Sequence, residues 1–377
     1  MLKITDKYQC SGCGACADVC PVHCIEYKED AAGFRYPSIE VEKCIGCGAC
    51  DRVCPIKIEN ISLREPEQCY AAWAKDNEIH NTSSSGGMGY LLGKAILERG
   101  GVVYGCSGES PLHVRHIRVD NVSHLKQLQG SKYVQSDTRG IYKSLKNDVK
   151  SGKDVLFIGT PCQVSAVNKL YSKKPDNIYT VDLICHGVPS QQMLNDQLNE
   201  ISKKYDGQIP AKISFRDGSE YRFEITYPNN RIYCNTVWHE PYYRAFMSGL
   251  SLRPSCHKCP YAKQKRTGDL TIGDFWGIKN AGELPVQTGV SMVFASSSKG
   301  SALLKSIDSD LEMMQKPIEE AVNGNDQLRH PVKNSFHAKL FGKLYPLVSI
   351  RMATSICVAD RRFVTLCKII MHKAKIK

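Results

Sequence analysis

No stretch of this sequence approaches the roughly 20 consecutive apolar residues that cross a bilayer. Its first ten residues, MLKITDKYQC, contain no apolar core of an export signal. The expectation is a cytoplasmic chain without a transmembrane helix. No G-x-G-x-x-G follows a strand-like segment, so an ordinary dinucleotide-binding Rossmann site is not indicated. Acidic residues are the scarcer sign: 38 Asp and Glu stand against 50 Lys and Arg, a formal charge of +12. Such an excess suits nucleic acid, anionic lipid or a phosphorylated ligand without choosing among them. Basic motifs interleaved with aromatics are missing, and no nucleic-acid partner is expected.

Cysteine is abundant, with 18 in 377 residues. Without an export signal this density indicates metal rather than disulfides. The segment CSGCGACADVCP (10–21) recurs as CIGCGACDRVCP (44–55). Each copy is C-x2-C-x2-C-x3-C-P, the run that holds 4Fe–4S clusters in bacterial-type ferredoxins. Three closely spaced cysteines wrap three corners of one cube, and the fourth completes the cube of the other copy. Cys10, Cys13, Cys16 and Cys54 are therefore assigned to one cluster, and Cys44, Cys47, Cys50 and Cys20 to the other. Structural zinc sites usually separate two close cysteine pairs by a longer loop, so zinc fits this spacing poorly. Cys24 falls outside the pattern and reads as a small buried hydrophobe.

The polar, proline-marked LREPEQ (63–68) places a boundary near residue 65. The fold expected is α+β: a double-cluster ferredoxin domain at 1–65, then an α/β body in two parts, 66–150 and 151–325, and a basic helical tail at 326–377. Strand-like runs include CYAAWA (69–74), VVYGC (102–106), KDVLFIGT (153–160), YTVDLICHG (179–187), DLTIGDF (269–275) and VSMVFAS (290–296). SFRDGSEYRFEITYPNNRIYC (214–234) alternates like a hairpin turning at Pro228-Asn229-Asn230.

Cys162 lies at the first turn of the helix after VLFIG, and Cys185 at the end of TVDLI. If both strands run parallel in one sheet, their C-terminal ends share a rim, where open α/β sheets place ligands. The helix dipole at Cys162 would favour thiolate. Cys256-x-x-Cys259 would then complete a four-cysteine site. The alternatives are core filling for the strand-end cysteines, and a zinc knuckle or redox dithiol for the late pair. Ser83, Ser84, Ser85, Gly86 and Gly87 precede a helix and suit a pyrophosphate, or serve as ordinary capping. Lys263, Lys265 and Arg266 either attract an anionic substrate or form a solvated basic loop.

In order along the chain, CYAAWAKDNEI, SSSGG, GGVVYG, GSKYVQS, GTPCQV, DLICHGVPS, FRD, SLRPSCHKCPYA and GDLTIGDFWGI resemble the coenzyme F-420 hydrogenase/dehydrogenase beta-subunit family, in the bacterial branch with an N-terminal double-cluster ferredoxin. The resemblance covers about residues 69 to 320. It implies an α/β flavoprotein domain that uses FAD with iron–sulfur clusters to exchange electrons with a redox partner protein or soluble carrier. Bacterial members often sit beside polysaccharide-synthesis genes. It also implies a third 4Fe–4S cluster on Cys162, Cys185, Cys256 and Cys259. The implied FAD-binding residues are Ser84, Ser85, Gly86, Gly87, Ser131, Lys132, Tyr133, Thr160 and Asp274. His186 is the candidate catalytic residue, delivering a proton or donating a hydrogen bond to a cluster sulfur. Cys106 departs from the family pattern, where alanine is usual. From Ser349 to Lys377 seven Lys and Arg stand against Asp360 alone. This basic amphipathic tail either lies on anionic lipid at the inner face of the membrane or packs on the body.

Overall fold

In the computed structural model, which describes residues 9–57, 61–218, 220–279, 282 and 284–359, apolar alternation sets out one large sheet. Its strands are β3 (Gln68–Ala74), β4 (Val102–Ser107), β5 (Arg115–Val119), β6 (Val155–Gly159), β7 (Ile178–Leu183), β11 (Leu270–Asp274), β12 (Ser291–Ala295) and β13 (Leu311–Gln315). Their spatial order is β13-β3-β12-β11-β7-β6-β4-β5. The central strands β4, β6, β7 and β11 run parallel, and the outer pairings are antiparallel. Parallel strands need both faces covered. Accordingly Val103, Leu156, Val293 and Ala72 enter one core with the helix Met88–Glu98. Their neighbours Val102 and Tyr104, and Val155 and Phe157, enter a second core on the opposite face with the helices Ile141–Lys150 and Pro161–Asn168. Burying each such Leu, Ile, Val or Phe contributes about 1.5–3 kcal/mol.

The N-terminal module carries the hairpin of β1 (Ile25–Glu29) and β2 (Arg35–Ile39). It does not stand apart from the body. Cys13, Ala15 and Val53 belong to the second core of the large sheet, and Phe34 belongs to a third core.

That third core lies beneath a separate three-stranded sheet of β8 (Lys212–Asp217), β9 (Glu220–Thr226) and β10 (Ile232–Thr236). The β9–β10 turn falls at the expected place, with Asn230 at φ 61°. The expected hairpin strand is in fact two strands, β8 and β9, which pair antiparallel.

The tail beyond residue 326 also enters the third core. Ala338, Phe341 and Tyr345 are buried there, as are Ile350, Ala353, Cys357 and Val358 of the helix 350–359. Arg351 pairs with Glu200 at 2.6 Å. Up to residue 359, therefore, Ile350 and Val358 of the tail face protein, while Met352 and Ile356 on the same helix are 53% and 46% exposed. The remainder of the basic segment, 360–377, lies outside the described residues. Among the described residues no helix is long and apolar enough to cross a membrane.

Glu240 in this core is 0% exposed, and neither carboxylate oxygen has a hydrogen-bond partner among the described residues. Burial pushes its pKa from 4.5 up to about 8. The folded protein thus holds a proton that the unfolded chain releases, and stability falls as pH rises from about 4.5 to about 8. Glu240→Gln is expected to stabilise the fold at pH 8 by on the order of a few kcal/mol, seen as a higher Tm, a gain that vanishes toward pH 4.5. Thermal unfolding across that range checks it.

Candidate functional site

The two copies of the N-terminal repeat fold alike. Each ends its tight loop on a left-handed glycine, Gly14 at φ 88° and Gly48 at φ 70°, which starts a short helix at Ala15 or Ala49. Cys20 borders one small cavity with Cys24, Cys44, Cys47 and Cys50, while Cys10, Cys54 and Cys50 all act on the Cys16 thiol. Cys24, expected to be simple filling, is buried but in contact, its sulfur 3.4 Å from that of Cys20. The first group is enclosed, with Cys10, Cys13, Cys16 and Cys54 all under 10% exposed. The second reaches the surface at Cys47, beside Val41 and Ile45, which are 62% and 64% exposed.

Side chains of the body cap four consecutive carbonyls of the first loop. Arg253 Nε donates to Cys10 O at 2.7 Å, and Gln135 Nε2 to Ser11 O and Gly12 O at 3.1 and 3.2 Å. Thr138 Oγ1 and Tyr142 OH both donate to Cys13 O at 2.7 Å. The carboxylate of Asp18 accepts Gly140 N and Tyr142 N in return. With its carbonyls engaged outward, the loop leaves its N–H groups to the cysteine side.

The late cysteines converge on the rim of the large sheet. β6 and β7 are parallel neighbours, so Cys162, just past β6, and Cys185, just past β7, emerge at the same edge. Cys256 and Cys259 arrive from the short helix Pro254–Lys258 and its end. Burial pushes the Cys185 thiol up to about 12 and Cys259 up to about 11. It raises Cys256 and Cys162 as well. At Cys162 the helix dipole was expected to favour thiolate; desolvation outweighs it. Gln163 Oε1 holds the turn by accepting Thr160 N at 2.9 Å. Among the described residues no group of three or more Cys, His, Asp or Glu closes around a single metal ion. One zinc ion with bonds of about 2.3 Å would draw four sulfurs much closer together than a four-iron cube does.

All four late cysteines line one cavity of about 950 Å3, together with Cys13 and Cys54 of the first group. That volume is at the upper end of small-molecule sites, about 300–1,000 Å3. Ser84, Ser85, Gly87, Ser131, Lys132, Tyr133, Thr160, Asp274 and His186 line it too. Gly86 does not. A Cβ there would fall 2.2 Å from Ala72 O, and its N–H already donates to Ser291 Oγ. Its smallness serves packing against β3, not approach to a phosphate. Lys132, named above for FAD, donates Nζ to Leu128 O and Gln129 O at 2.9 and 2.7 Å, and burial lowers its pKa to about 8. Arg266, placed above in a solvated or substrate-attracting loop, is buried, with Asp182 as its ion-pair partner. Lys265 pairs with Glu65.

His186 is fixed by Gln327, whose amide Nε2 donates to Nδ1 at 3.0 Å. The ring proton then sits on Nε2, which is buried without a partner among the described residues, as is Ser85 Oγ. Two unsatisfied buried polar atoms on residues lining one cavity fit a bound polar group.

Sequence reasoning missed Arg216. It is nearly buried, donating to Asp274 Oδ2 at 2.9 Å, Tyr133 OH at 3.3 Å and Ser84 O at 2.9 Å. It thereby ties the three-stranded sheet to the cavity wall, under the ring of Tyr221, which stacks on Trp276.

Residues 9–58 match the family model of a 4Fe-4S dicluster domain. Residues 152–321 match the family model for the C terminus of the coenzyme F420 hydrogenase/dehydrogenase beta subunit. Comparison with curated proteins found no match. Among solved structures, the chain is similar to one from the F420-reducing [NiFe] hydrogenase complex of Methanosarcina barkeri, at 20% identity and a TM-score of 0.49, covering 73% of this chain and 98% of that one. Residues 152–321 thus carry the C-terminal region of the coenzyme F420 hydrogenase/dehydrogenase beta-subunit family, with a 4Fe-4S dicluster domain in front of it.

Proposed function

We propose that this protein is an iron–sulfur flavin-dependent oxidoreductase that relays electrons between its N-terminal clusters and FAD in the 950 Å3 cavity, to or from a soluble two-electron substrate. The observation that carries the reading is one shared cavity wall: first-group cysteines, the four late cysteines and the serine–lysine loop all border it. FAD, when bound, would store two electrons that clusters supply singly.

The chain's own residues divide the work. Cys162, Cys185, Cys256 and Cys259 would hold a third cluster between the first group and the flavin. Ser85 Oγ and the N–H groups around Gly87 would hold the polar part of FAD. His186 Nε2 offers one donor to the bound group or to a cluster sulfur, with its tautomer set by Gln327. The exposed loop at Cys47 is where an outside redox partner or carrier reaches the second group, in keeping with membership of a family named for a subunit.

Anaerobic purification followed by iron, sulfide, zinc and flavin assays tests this. The expected result is about twelve iron atoms per chain, with FAD near one per chain and little zinc. Full iron without flavin would mean instead an electron-wiring subunit with no substrate pocket of its own.

A further inference from the structure

Arg253 is 0% exposed, among the largest fully buried side chains of the protein. A guanidinium stays protonated at any physiological pH. Buried charges are normally paired, because an uncompensated one costs several kcal/mol. The other fully buried arginine, Arg266, obeys this through Asp182. Arg253 does not: among the described residues no carboxylate lies within ion-pair distance. Its donors go to Cys10 O, Gln135 Oε1 and Arg35 O at 2.7, 3.0 and 2.7 Å. Its flat faces meet the rings of Tyr36 and Phe34, at 4.4 and 5.5 Å from the guanidinium carbon. Carbonyls and ring faces supply partial negative charge, not a counter-ion.

The side chain lies against one thiol group, and its backbone leads into another. A Cβ on Gly12, inside the first cluster loop, would lie 2.7 Å from Arg253 Nη1. Along the chain, Arg253 is three residues before Cys256, and Cys256 N donates to its carbonyl at 2.9 Å.

We propose that Arg253 is the buried counter-cation of the two redox groups beside it, the one held by Cys10, Cys13, Cys16 and Cys54 and the one held by Cys162, Cys185, Cys256 and Cys259. The second half rests on the third-cluster reading above; the first half does not. Thiolate-bound clusters carry net negative charge, and each reduction adds one more. A fixed cation in a low-dielectric interior favours that added charge and raises both reduction potentials. The second group, with Cys20, Cys44, Cys47 and Cys50, accepts none of the hydrogen bonds that Arg253 donates among the described residues and serves as an internal reference.

The test is a redox titration followed by electron paramagnetic resonance, with iron and sulfide counts, on the full-length loaded protein. Arg253→Met is expected to move the midpoints of both flanking groups to lower potential and leave the second group where it was. Arg253→Lys, which keeps the charge and loses the fork, should restore most of the shift. Gln135→Leu removes the neighbouring hydrogen bonds without removing charge and should leave the midpoints unmoved. Full iron in Arg253→Met with unmoved midpoints overturns the proposal, and so does an equal shift of all three groups. If Arg253→Met fails to load iron, the other two variants decide. A clear downward shift in Gln135→Leu would assign the effect to hydrogen bonds and overturn the role of charge, whereas unmoved midpoints there beside only a small shift in Arg253→Lys support it. A wild-type count of about eight iron atoms would instead remove the third-cluster reading, leaving Arg253 to be judged on the first group alone.

Discussion

Cys259→Ala is expected to leave the protein with about eight of its about twelve iron atoms, and with the spectrum of the N-terminal pair intact. The reason lies in the cavity lining. Cys259 follows the short helix Pro254–Lys258 as the fourth thiol of the proposed site, and outside the first group the one other cysteine among those lining the cavity with Cys162, Cys185 and Cys256 is Cys106. Cys106 sits on β4 beside Lys132, which acts on its thiol electrostatically. FAD should remain bound in this variant, since the serine loop is untouched, yet its reduction through the N-terminal module should slow by orders of magnitude. Iron assay and stopped-flow reduction at the flavin absorbance read the two effects separately. An unchanged iron count would remove the four-cysteine site.

Arg216→Ala should be the most damaging single change at the cavity wall outside the cysteines. The side chain is 3% exposed and its partner Asp274 is 22% exposed, so truncation leaves a half-buried carboxylate without its cation and frees Ser84 O. Breaking a buried pair in this way costs about 3–5 kcal/mol, with a matching fall in Tm and in the flavin retained after gel filtration. Arg222→Ala on the same sheet breaks the exposed pair with Asp217 and should cost under about 1 kcal/mol. Similar losses in the two variants would mean that Arg216 does not anchor the wall.

Why Arg216 was missed is instructive. On an ideal strand, buried Phe215 would send Arg216 outward to solvent. A register shift between Ser214 and Arg216 turns both inward, and bulges leave no mark in residue type. Edge strands escaped for another reason. β5 (RHIRV) and β13 (LEMMQ) each pair on one side only, so their polar residues meet solvent and their alternation is weak. The interior strands were legible because two covered faces demand continuous apolar runs, as in VLFIG and SMVFA. The parallel pairing of β6 and β7 brought Cys162 and Cys185 to one rim as the strand–helix order implied. The repeat marked the N-terminal module as a dicluster domain through spacing alone. Gly86 was legible as essential but for the wrong cause, because strand β3 lies against it rather than a ligand. Gln327 and Arg253 had no local signature: their partners, His186 and Cys10, are 141 and 243 residues away.

The capping of the first loop has a consequence for how the protein is made. Gln135, Thr138, Tyr142 and Arg253 close over the carbonyls of residues 10–13, and no cysteine of that group remains more than 9% exposed. A scaffold protein delivering iron and sulfide could not reach those thiols once the body had docked. Residues 10–54 leave the ribosome well before residue 253 is synthesised, and N-terminal units fold first. Maturation therefore has an order: the first loop must be filled while the later chain is still emerging or unfolded, whereas the second loop, open at Cys47, stays repairable throughout the life of the protein.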